Sequence, residues 1–356
     1  MPIEIIKPGT HIDFIGKRHI AFAISAALIL AGLVAVFTRG VNLGIDFAGG
    51  TEVQLRFAAD SGASEAHIRE LAAACGVDTP TVVRYGDGEL PEFLLSFNKI
   101  APDGDACPLS DADRQRLEEL EAKRGADTSA PGTAAVVDRI LTALKDRVGD
   151  AELMRIEYVG PRVGSELRDD GLKSMLIACV LILIYIAFRF SSRFAPGAVI
   201  ALVHDVGITA GIFVIFGMEF DLRVLAALLA ILGYSLNDTI IIYDRIRENL
   251  GLRTRHDLHE VLNLSVNQTM SRTILTSVTT LAAVLCLLIV GGAVIQPFAL
   301  AMTIGVFVGT YSSTFIAAPT LLYLEQRFGG GGDGDASSGG GGKKKKAGAH
   351  PKQRAA

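Results

Sequence analysis

Six long apolar runs constrain this chain more than any other feature of the sequence. The first covers residues 20–38, and five more lie at about 172–190, 196–216, 222–243, 266–290 and 297–324. Each approaches the roughly 20 residues that a helix needs to cross a bilayer. Half of the 356 residues are hydrophobic, and the mean hydropathy is +0.39. These values predict a membrane protein with six spanning helices rather than a soluble domain of this length.

The distribution of positive charge predicts the orientation. The first run follows a basic cytoplasmic N-terminus, residues 1–19, and has no small-residue cleavage site after it, so we interpret it as an uncleaved anchor. Arginines flank two alternate connections of the later runs: Arg189, Arg193, Arg245, Arg247, Arg253, Arg255 and Arg272. The intervening connections, 217–223 and 291–296, are poor in positive charge. Because positive loops stay in the cytoplasm, we expect both termini there and residues 39–171 across the membrane.

Residues 39–171 predict a separate domain. Alternating segments and two amphipathic helices follow the order β-α-β-β-α-β, which is the ferredoxin-like arrangement, with a polar insert at about 100–131. The expected fold is therefore a six-helix membrane protein with an α+β ferredoxin-like extracytoplasmic domain. Cys75 and Cys107 fall in this domain, where a disulfide is permitted, but the sequence does not decide whether they pair. No metal-ligand spacing and no nucleophile motif occurs, so no metal and no catalytic residue is predicted.

Two glycine-rich segments mark the junctions between domain and membrane. GIDFAGGT covers 44–51 and VGPRVGSEL covers 159–167, and their glycines are Gly44, Gly49, Gly50, Gly160 and Gly164. A phosphate-binding loop would lead into a helix and end in Gly-Lys-Ser/Thr, whereas the first segment leads into a strand. We therefore expect no nucleotide, and we expect the glycines to permit positive φ and close backbone packing.

Ionisable residues inside the runs are the candidate functional residues, since a charge in a spanning helix is costly. From the helix rise, Asp238 lies roughly 8 Å, Arg272 roughly 9 Å and Asp205 roughly 13 Å from the cytoplasmic ends of their runs. We predict that these three side chains meet in one polar pocket. Its supporting residues are expected to be His204, Asn237, Thr239, Gln268 and Thr273.

Spacing alone leaves two interpretations of this pocket open. A buried ion pair between Asp238 and Arg272 would lock two helices together. A carboxylate beside a fixed arginine is equally what a proton relay requires, because a change in hydration would take up or release the proton. For His204 the sequence favours a hydrogen-bonded packing element.

The last segment, 329–356, is rich in glycine and serine and carries a basic cluster at 343–346. Its composition predicts a disordered cytoplasmic tail. A solvated end is the favoured interpretation, and contact with anionic lipid or ribosomal RNA is the alternative.

Five motifs together resemble the SecF members of the SecD/SecF protein-export family, within the resistance-nodulation-division superfamily. They are GIDFAGGT at 44–51, VGPRVGSEL at 159–167, ALVHDVG at 201–207, GYSLNDTIIIYDRIREN at 233–249 and NQTMSRTILTS at 267–277. The resemblance extends from about residue 11 to 328 and leaves out the insert and the tail. It implies a bacterial inner-membrane subunit of the Sec pathway that assists protein translocation with the proton-motive force.

The resemblance also implies partners and site residues. The partners are SecD, the SecY/SecE/SecG channel, YajC and the translocating preprotein, beside membrane lipids. The proton-linked Asp and Arg of the family fall on Asp238 and Arg272, which favours a relay over a lock. We expect Asp205 to be the third member of this relay. No cofactor is implied beyond the proton gradient, with sodium as an alternative coupling ion, and the chain is not expected to be an enzyme. The alternatives are a small-molecule or lipid exporter half-unit of the superfamily, and a purely structural subunit.

Overall fold

A computed structural model describes residues 11–85, 90–100, 107–124, 133–190, 194–252 and 257–328. The predicted tail at 329–356, two ends of the insert and three of the arginines used for orientation, Arg193, Arg253 and Arg255, lie outside the described residues.

The chain begins with a long apolar helix, α1 (Arg18–Arg39), and then enters the α+β domain through a short helix, α2 (Ile45–Ala48). The remaining elements of the domain follow in chain order: β1 (Gly50–Phe57), α3 (Glu65–Ala74), β2 (Val77–Asp78), β3 (Thr81–Tyr85), β4 (Glu92–Phe97), β5 (Lys99–Ile100), α4 (Asp111–Arg124), α5 (Thr133–Arg147) and β6 (Ala151–Val159). The insert thus contains α4 within its described part.

The main sheet has the strand order β3-β4-β1-β6, and every neighbouring pair is antiparallel. With α3 and α5 as the two crossover helices, this is the predicted ferredoxin-like β-α-β-β-α-β topology. The alternation of β1 explains the packing, since Val53, Leu55 and Phe57 point into the core while Glu52 and Gln54 point to the opposite face. Cys75 and Cys107 form a disulfide, which ties the insert to the end of α3.

Five further helical spans complete the molecule: α6 (Pro161–Phe190), α7 (Ala195–Ile215), α8 (Leu222–Leu252), α9 (Leu258–Val290) and α10 (Gly292–Ser312), the last of which continues through a π-helical turn (Ser313–Ala317) into α11 (Ala318–Phe328). Together with α1 they give, within the described ranges, six helices long and apolar enough to cross a membrane, as the sequence predicts. The apolar runs mark the lipid-length part of these helices, and α6, α8 and α9 extend furthest beyond it. Helix α6 begins at Pro161, where a proline suits the first helical position.

Close glycine contacts join the domain to the bundle. A Cβ on Gly164 would lie 2.8 Å from the backbone nitrogen of Gly49, and Gly49 itself has a φ of 74°. Only glycine therefore permits α2 and the first turn of α6 to touch through their backbones. Gly44 and Gly50 also pack closely, against Phe220–Asp221 and Phe97–Asn98, whereas nothing lies within 4 Å of the ideal Cβ position of Gly160. The domain is thus seated directly on the ends of α6 and α8, with no flexible linker in between.

Candidate functional site

Asp205 is a fully bonded carboxylate in the interior of the bundle. It lies on α7 with 0% of its surface exposed, and its Oδ1 is 2.8 Å from Nδ1 of His204. Its Oδ2 accepts hydrogen bonds from the hydroxyl groups of Ser235 on α8 and Ser312 on α10, the latter at 2.7 Å. Three helices therefore meet on one carboxylate, and both of its oxygens are satisfied.

His204 extends this network to α1. Its Nε2 is 2.8 Å from the hydroxyl oxygen of Ser25, and Ser25 donates to the hydroxyl oxygen of Tyr311 over 3.3 Å. Tyr311 in turn donates to the backbone oxygen of Ala21 at 2.8 Å, and its ring stacks on the His204 ring. The result is a continuous chain of buried polar groups from α1 through α7 to α10.

Small residues make these close helix contacts possible. A Cβ on Gly32 of α1 would lie 2.9 Å from the Cα of Gly211 on α7, so the two backbones are in direct contact there. Gly309 of α10 stands against Ser235 in the same manner, with 3.1 Å from its ideal Cβ position to the serine Cβ. Close approach through small residues is typical of helix association in membranes.

Asp238 lies nearly one helical turn beyond Ser235 on α8, and its surroundings are different. It is 1% exposed, yet its Oδ2 has no hydrogen-bond partner among the described residues. The hydroxyl of Thr273 on α9 is buried and equally unpaired within the described chain. Buried polar atoms without partners are rare in folded proteins, and each one calls for a physical or functional explanation.

Two side chains of α9, one turn apart, act on the Asp238 carboxylate. Arg272 acts by its charge, and Thr276 acts by its hydroxyl group. No ion pair joins Arg272 to Asp238 in the described part of the chain, and the arginine is exposed on the surface of the bundle. The charge of Arg272 therefore acts on the Asp238 carboxylate without occupying its hydrogen-bond acceptor positions. Asp238 Oδ2 is thus left without a hydrogen-bond donor among the described residues.

The predicted pocket is divided in the structure. Asp205 with His204 forms one cluster, and Asp238 with Arg272 forms another, with no hydrogen bond or ion pair between them among the described residues. Thr239 is buried and donates to the backbone oxygen of Ser235. Of the other predicted neighbours, Thr273 is unpaired in the described chain, and Asn237 and Gln268 lie outside both clusters.

Asn237 points away from this region, since its side chain is exposed on α8. Gln268 belongs to a third cluster at the far end of α8 and α9, where it accepts hydrogen bonds from Arg245 at 2.6 Å and from Asn249 at 2.9 Å. Counting residues from the helix ends gave their depth, but it did not give the direction in which each side chain points. Sequence reasoning also missed Ser25, Ser312 and Thr276, because a Ser or Thr hydroxyl in an apolar helix usually bonds to its own backbone. It missed Tyr311 because that hydroxyl group contacts α1, which is distant in sequence.

A second polar region lies outside the spans, where the domain meets the bundle. The outer face of the sheet and the α7–α8 connection enclose a cleft of about 180 Å³. Its charged lining residues are Asp46, Glu52, Arg155, Glu157, Glu219, Asp221 and Arg223. Asp221 accepts from Arg223 at 2.6 Å and from the backbone nitrogen of Val224 at 2.8 Å, which caps the start of α8.

Two carboxyl groups in this cleft are perturbed. Burial raises the pKa of Glu52, with Arg223 opposing and Glu219 and Asp46 reinforcing the shift. Burial likewise raises the pKa of Glu219, reinforced by Asp221 and opposed by Arg223. Proton uptake at the junction is therefore easier than for exposed glutamates. Among the described residues, no group of three or more His, Cys, Asp or Glu side chains has a geometry suited to a metal ion.

The sequence matches two family models. Residues 139–327 match the C-terminal model of the protein export membrane proteins SecD/SecF, and residues 34–60 match the SecD/SecF GG motif. The glycines that seat the domain on the bundle are therefore partly the residues of this motif.

Relatives and solved structures agree with these matches. The protein translocase subunit SecF of Magnetococcus marinus is 44% identical over 91% of this chain and 95% of its own length. The SecF subunit of Pseudomonas aeruginosa is 41% identical over 90% of this chain and 93% of its own length. A crystal structure of SecDF, described as a translocon-associated membrane protein of a Thermus species, superimposes with a TM-score of 0.70 at 34% identity, covering 90% of this chain and 39% of that longer chain. On this evidence the chain belongs to the SecD/SecF family of protein export membrane proteins.

Proposed function

We propose that this chain is a subunit of the Sec protein-export machinery of the bacterial inner membrane, and that it works with SecD to assist translocation with the proton-motive force. The names of the relatives, which are protein translocase subunits, support the export role. They give no support to the alternative of a small-molecule or lipid exporter. The observation that carries the proton coupling is Asp238, a buried carboxylate with one unpaired oxygen beside the charge of Arg272.

In this mechanism Asp238 alternates between its ionised and its protonated form. The charge of Arg272 offsets the ionised carboxylate, and no salt bridge in the described chain gives Arg272 another partner when Asp238 is neutral. The two states therefore favour different positions of α8 relative to α9. One elementary charge moved through the full potential is worth about 2.3 kcal/mol per 100 mV, enough to bias a two-state movement.

The seating of the domain supports transmission of that movement. Helix α8 begins beside the α7–α8 connection, whose Phe220 oxygen accepts a hydrogen bond of 2.8 Å from Gly44 at the entrance to the domain. Asp46 of α2 accepts from the backbone nitrogen of Leu222, the first residue of α8. A displacement of α8 therefore moves the domain through these two hydrogen bonds.

The orientation follows from the charges. The described arginines Arg189, Arg245 and Arg247 lie at the end of the bundle opposite to the α+β domain. With positive residues on the cytoplasmic side, the domain extends into the periplasm and both termini stay inside. There the domain is placed to act on an emerging preprotein.

We further propose that the chain assembles with SecD, with the SecY/SecE/SecG channel and with YajC. The solved relative described as SecDF supports the SecD pairing, since this chain covers 39% of that longer chain. The coupling ion is proposed to be the proton, with sodium as the alternative.

The side chain of Arg272 is exposed on the surface of the bundle, where a partner subunit could contact it.

The test is the rate of export of a secreted reporter in cells carrying Asp238→Asn, with the amount of assembled complex measured alongside. The proposal predicts normal assembly and export reduced to the level of a deletion strain. The matched control is Asp244→Asn on the same helix, an exposed aspartate that pairs with Arg189 at the surface and is expected to leave export unchanged. Normal export in Asp238→Asn would reject proton coupling through this residue. Replacing the proton gradient by a sodium gradient in vesicles distinguishes the two ions.

A further inference from the structure

A cavity of about 440 Å³ lies between the first turn of α1 and α11, away from both aspartate clusters. It extends across the level at which the apolar runs end. Arg18 precedes the first run, which begins at residue 20, and Gln326 follows the last run, which ends at about 324. Phe22 and Leu322 line the cavity from within these two runs. One end of the cavity is therefore at the membrane surface and the other is within the bilayer, at the side of the bundle opposite to the α+β domain.

The polar lining of this cavity consists of groups that can donate hydrogen bonds: Arg18, His19, Thr320, Tyr323 and Gln326. Arg18 donates one N–H to the backbone oxygen of Ile15 at 3.1 Å, and no ion pair occupies its guanidinium group among the described residues. Within the described chain no Asp or Glu side chain lines the cavity. Lys17 and Arg327 add exposed positive charge at the same level, and Glu325 of α11 lies outside the lining. The cavity therefore presents a positively charged end, rich in donors, to an anion.

The position of Arg18 is fixed by the segment that precedes it. The backbone nitrogens of Ile12 and Phe14 each donate, at 2.9 Å, to the side-chain oxygens of Asn267 and Asn263 on α9. The start of α1 is thus attached to the bundle on one side, and the cavity lies on its other side, toward α11. The guanidinium group therefore faces the cavity from an ordered turn.

Thr320 gives an independent indication of a ligand. It lines the cavity and is 7% exposed, yet its hydroxyl group has no hydrogen-bond partner in the described chain. Thr303 and Thr310 of α10, in contrast, donate to the backbone oxygen four residues earlier, at 2.8 and 2.7 Å. The Thr320 oxygen is not one of the fully enclosed atoms without a partner, so it is open to the cavity. A polar group this enclosed ordinarily has a partner, and the cavity is the place from which one can reach it.

The two ends of the cavity together identify the class of ligand. A phosphate group accepts charge-assisted hydrogen bonds from an arginine, whereas an acyl chain suits the apolar end. A free inorganic anion would leave that apolar end without a contact. Basic cavities between spanning helices on the cytoplasmic side are suited to the headgroups of anionic lipids.

We propose that this cavity binds one anionic phospholipid of the cytoplasmic leaflet, with its phosphate at Arg18 and Thr320 and one acyl chain along Phe22 and Leu322. The bound lipid joins the first turn of α1 to the last turns of α11. The choice of leaflet uses the proposed orientation of the chain, whereas the site itself depends neither on proton coupling nor on export.

Native mass spectrometry of the full chain in detergent, titrated separately with phosphatidylglycerol and phosphatidylethanolamine, tests the site. The expected result is one phosphatidylglycerol bound more tightly than any further lipid and more tightly than phosphatidylethanolamine, which has no net charge. Arg18→Gln should raise the Kd for phosphatidylglycerol about tenfold, the value for a lost hydrogen bond to a charged group. Lys17→Gln removes the same charge from the adjacent residue, which does not line the cavity, and should leave the Kd nearly unchanged. Equal weakening in both variants, or equal affinity for the two lipids, would overturn the proposal.

Thr320→Val tests the hydroxyl group without changing the shape of the side chain. The Kd for phosphatidylglycerol should rise about fivefold, the value for one net hydrogen bond. Thr303→Val, whose parent hydroxyl group is bonded to the backbone oxygen of Ala299, is the matched control and should keep the original Kd. Circular dichroism of each variant verifies that it is folded. An unchanged Kd in Thr320→Val would overturn the placement of the phosphate at this residue.

The location of the lipid is measured in bilayers. The chain has no tryptophan, so Tyr323→Trp places a single fluorophore at the cavity. Tyr185→Trp, at an exposed tyrosine near the same membrane surface on α6, is the control. In vesicles of phosphatidylethanolamine with brominated phosphatidylglycerol, quenching at position 323 should exceed the value expected from the lipid composition. This excess should be absent at position 185, and it should be lost when Arg18→Gln is added to Tyr323→Trp.

Two results would overturn this placement. Equal quenching at the two positions would mean a general attraction of anionic lipid to the basic surface. Loss of the excess on addition of inorganic phosphate would mean that the site holds a free anion and that a lipid is not its occupant.

Discussion

Asp205 and Asp238 are both buried carboxylates in adjacent helices, but their partners differ. Asp205 is 0% exposed and holds His204, Ser235 and Ser312 through its two oxygens. Asp238 is 1% exposed and leaves one oxygen without a partner in the described chain. A satisfied carboxylate is stabilised as an ion and fixes its neighbours in place. A carboxylate with an unpaired oxygen costs less to protonate. We therefore interpret Asp205 as the carboxylate that holds its neighbours in place and Asp238 as the one that exchanges a proton.

The largest expected difference is in stability. Asp205→Ala leaves two serine hydroxyl groups and a histidine without their shared acceptor, whereas Asp238→Ala removes a side chain that was already incompletely bonded. Both changes create a cavity of the same size. We expect Asp205→Ala to lower the free energy of unfolding by about 3 kcal/mol more than Asp238→Ala, as for other broken buried pairs.

Unfolding of the purified chain in detergent, followed by circular dichroism and denaturant titration, measures this difference. Equal losses in the two variants would mean that the carboxylates are bonded alike, and the comparison would fail.

The next effect concerns how the bundle moves the domain. Gly164→Ala places a Cβ 2.8 Å from the backbone nitrogen of Gly49, without touching either aspartate. Because backbone on both sides must shift, we expect a loss of about 2 kcal/mol in stability and a clear loss of export. Gly160→Ala is the control, since nothing lies within 4 Å of its Cβ position. Thermal unfolding and reporter export are measured for both variants. A Gly164→Ala variant that behaves like the control would show that the close contact of Gly164 with Gly49 does not hold the domain on the bundle.

A smaller effect is expected at Thr273, on the helix that faces Asp238. Thr273→Val replaces a buried hydroxyl group that has no partner in the described chain with a methyl group of similar size. We expect the variant to be more stable by about 1 kcal/mol, because an unsatisfied buried donor is removed. Thr269→Val, whose parent hydroxyl group donates to the backbone oxygen of Ser265 at 3.0 Å, is the control and should not gain stability. Destabilisation by Thr273→Val would show that this hydroxyl group has a partner in the membrane.

The smallest effect lies outside the membrane, in the cleft between domain and bundle. Burial raises the pKa of Glu52 and Glu219 above the ordinary glutamate value. A raised carboxyl pKa contributes stability that is fully present below the unfolded-state pKa and is lost as the pH rises through the folded-state pKa. Glu219→Gln should therefore be less sensitive to a rise in pH across the weakly acidic range. Glu166→Gln on the exposed start of α6 should keep the pH dependence of the original chain.

Hydrogen exchange of the β1 amides between weakly acidic and neutral pH follows this effect. A pH dependence that is identical in Glu219→Gln and the original chain would exclude the glutamate as its source.

The sequence predicted the fold well because its signals are local. Apolar length defines a span, and the alternation of 51–57 defines a strand whatever surrounds it. The candidate site was predicted less completely, because its geometry depends on how helices face each other. Depth identified Asp205, Asp238 and Arg272, but rotation about the helix axes placed Asn237 outside and Gln268 in another cluster. Ser25 and Tyr311 gave no signal, since their contacts join residues 286 positions apart.

The most direct test of the central claim is infrared difference spectroscopy of the reconstituted chain with SecD during a change of pH, with the carboxylic-acid band compared in the original protein, Asp238→Asn and Asp205→Asn. If Asp238 is the exchanging carboxylate, as the account predicts, one component of the protonation band is present in the original protein, absent in Asp238→Asn and retained in Asp205→Asn, while the contribution of Glu52 and Glu219 is the same in all three. A band that survives in Asp238→Asn and disappears in Asp205→Asn would contradict it, because the exchanging carboxylate would then be the fully bonded one.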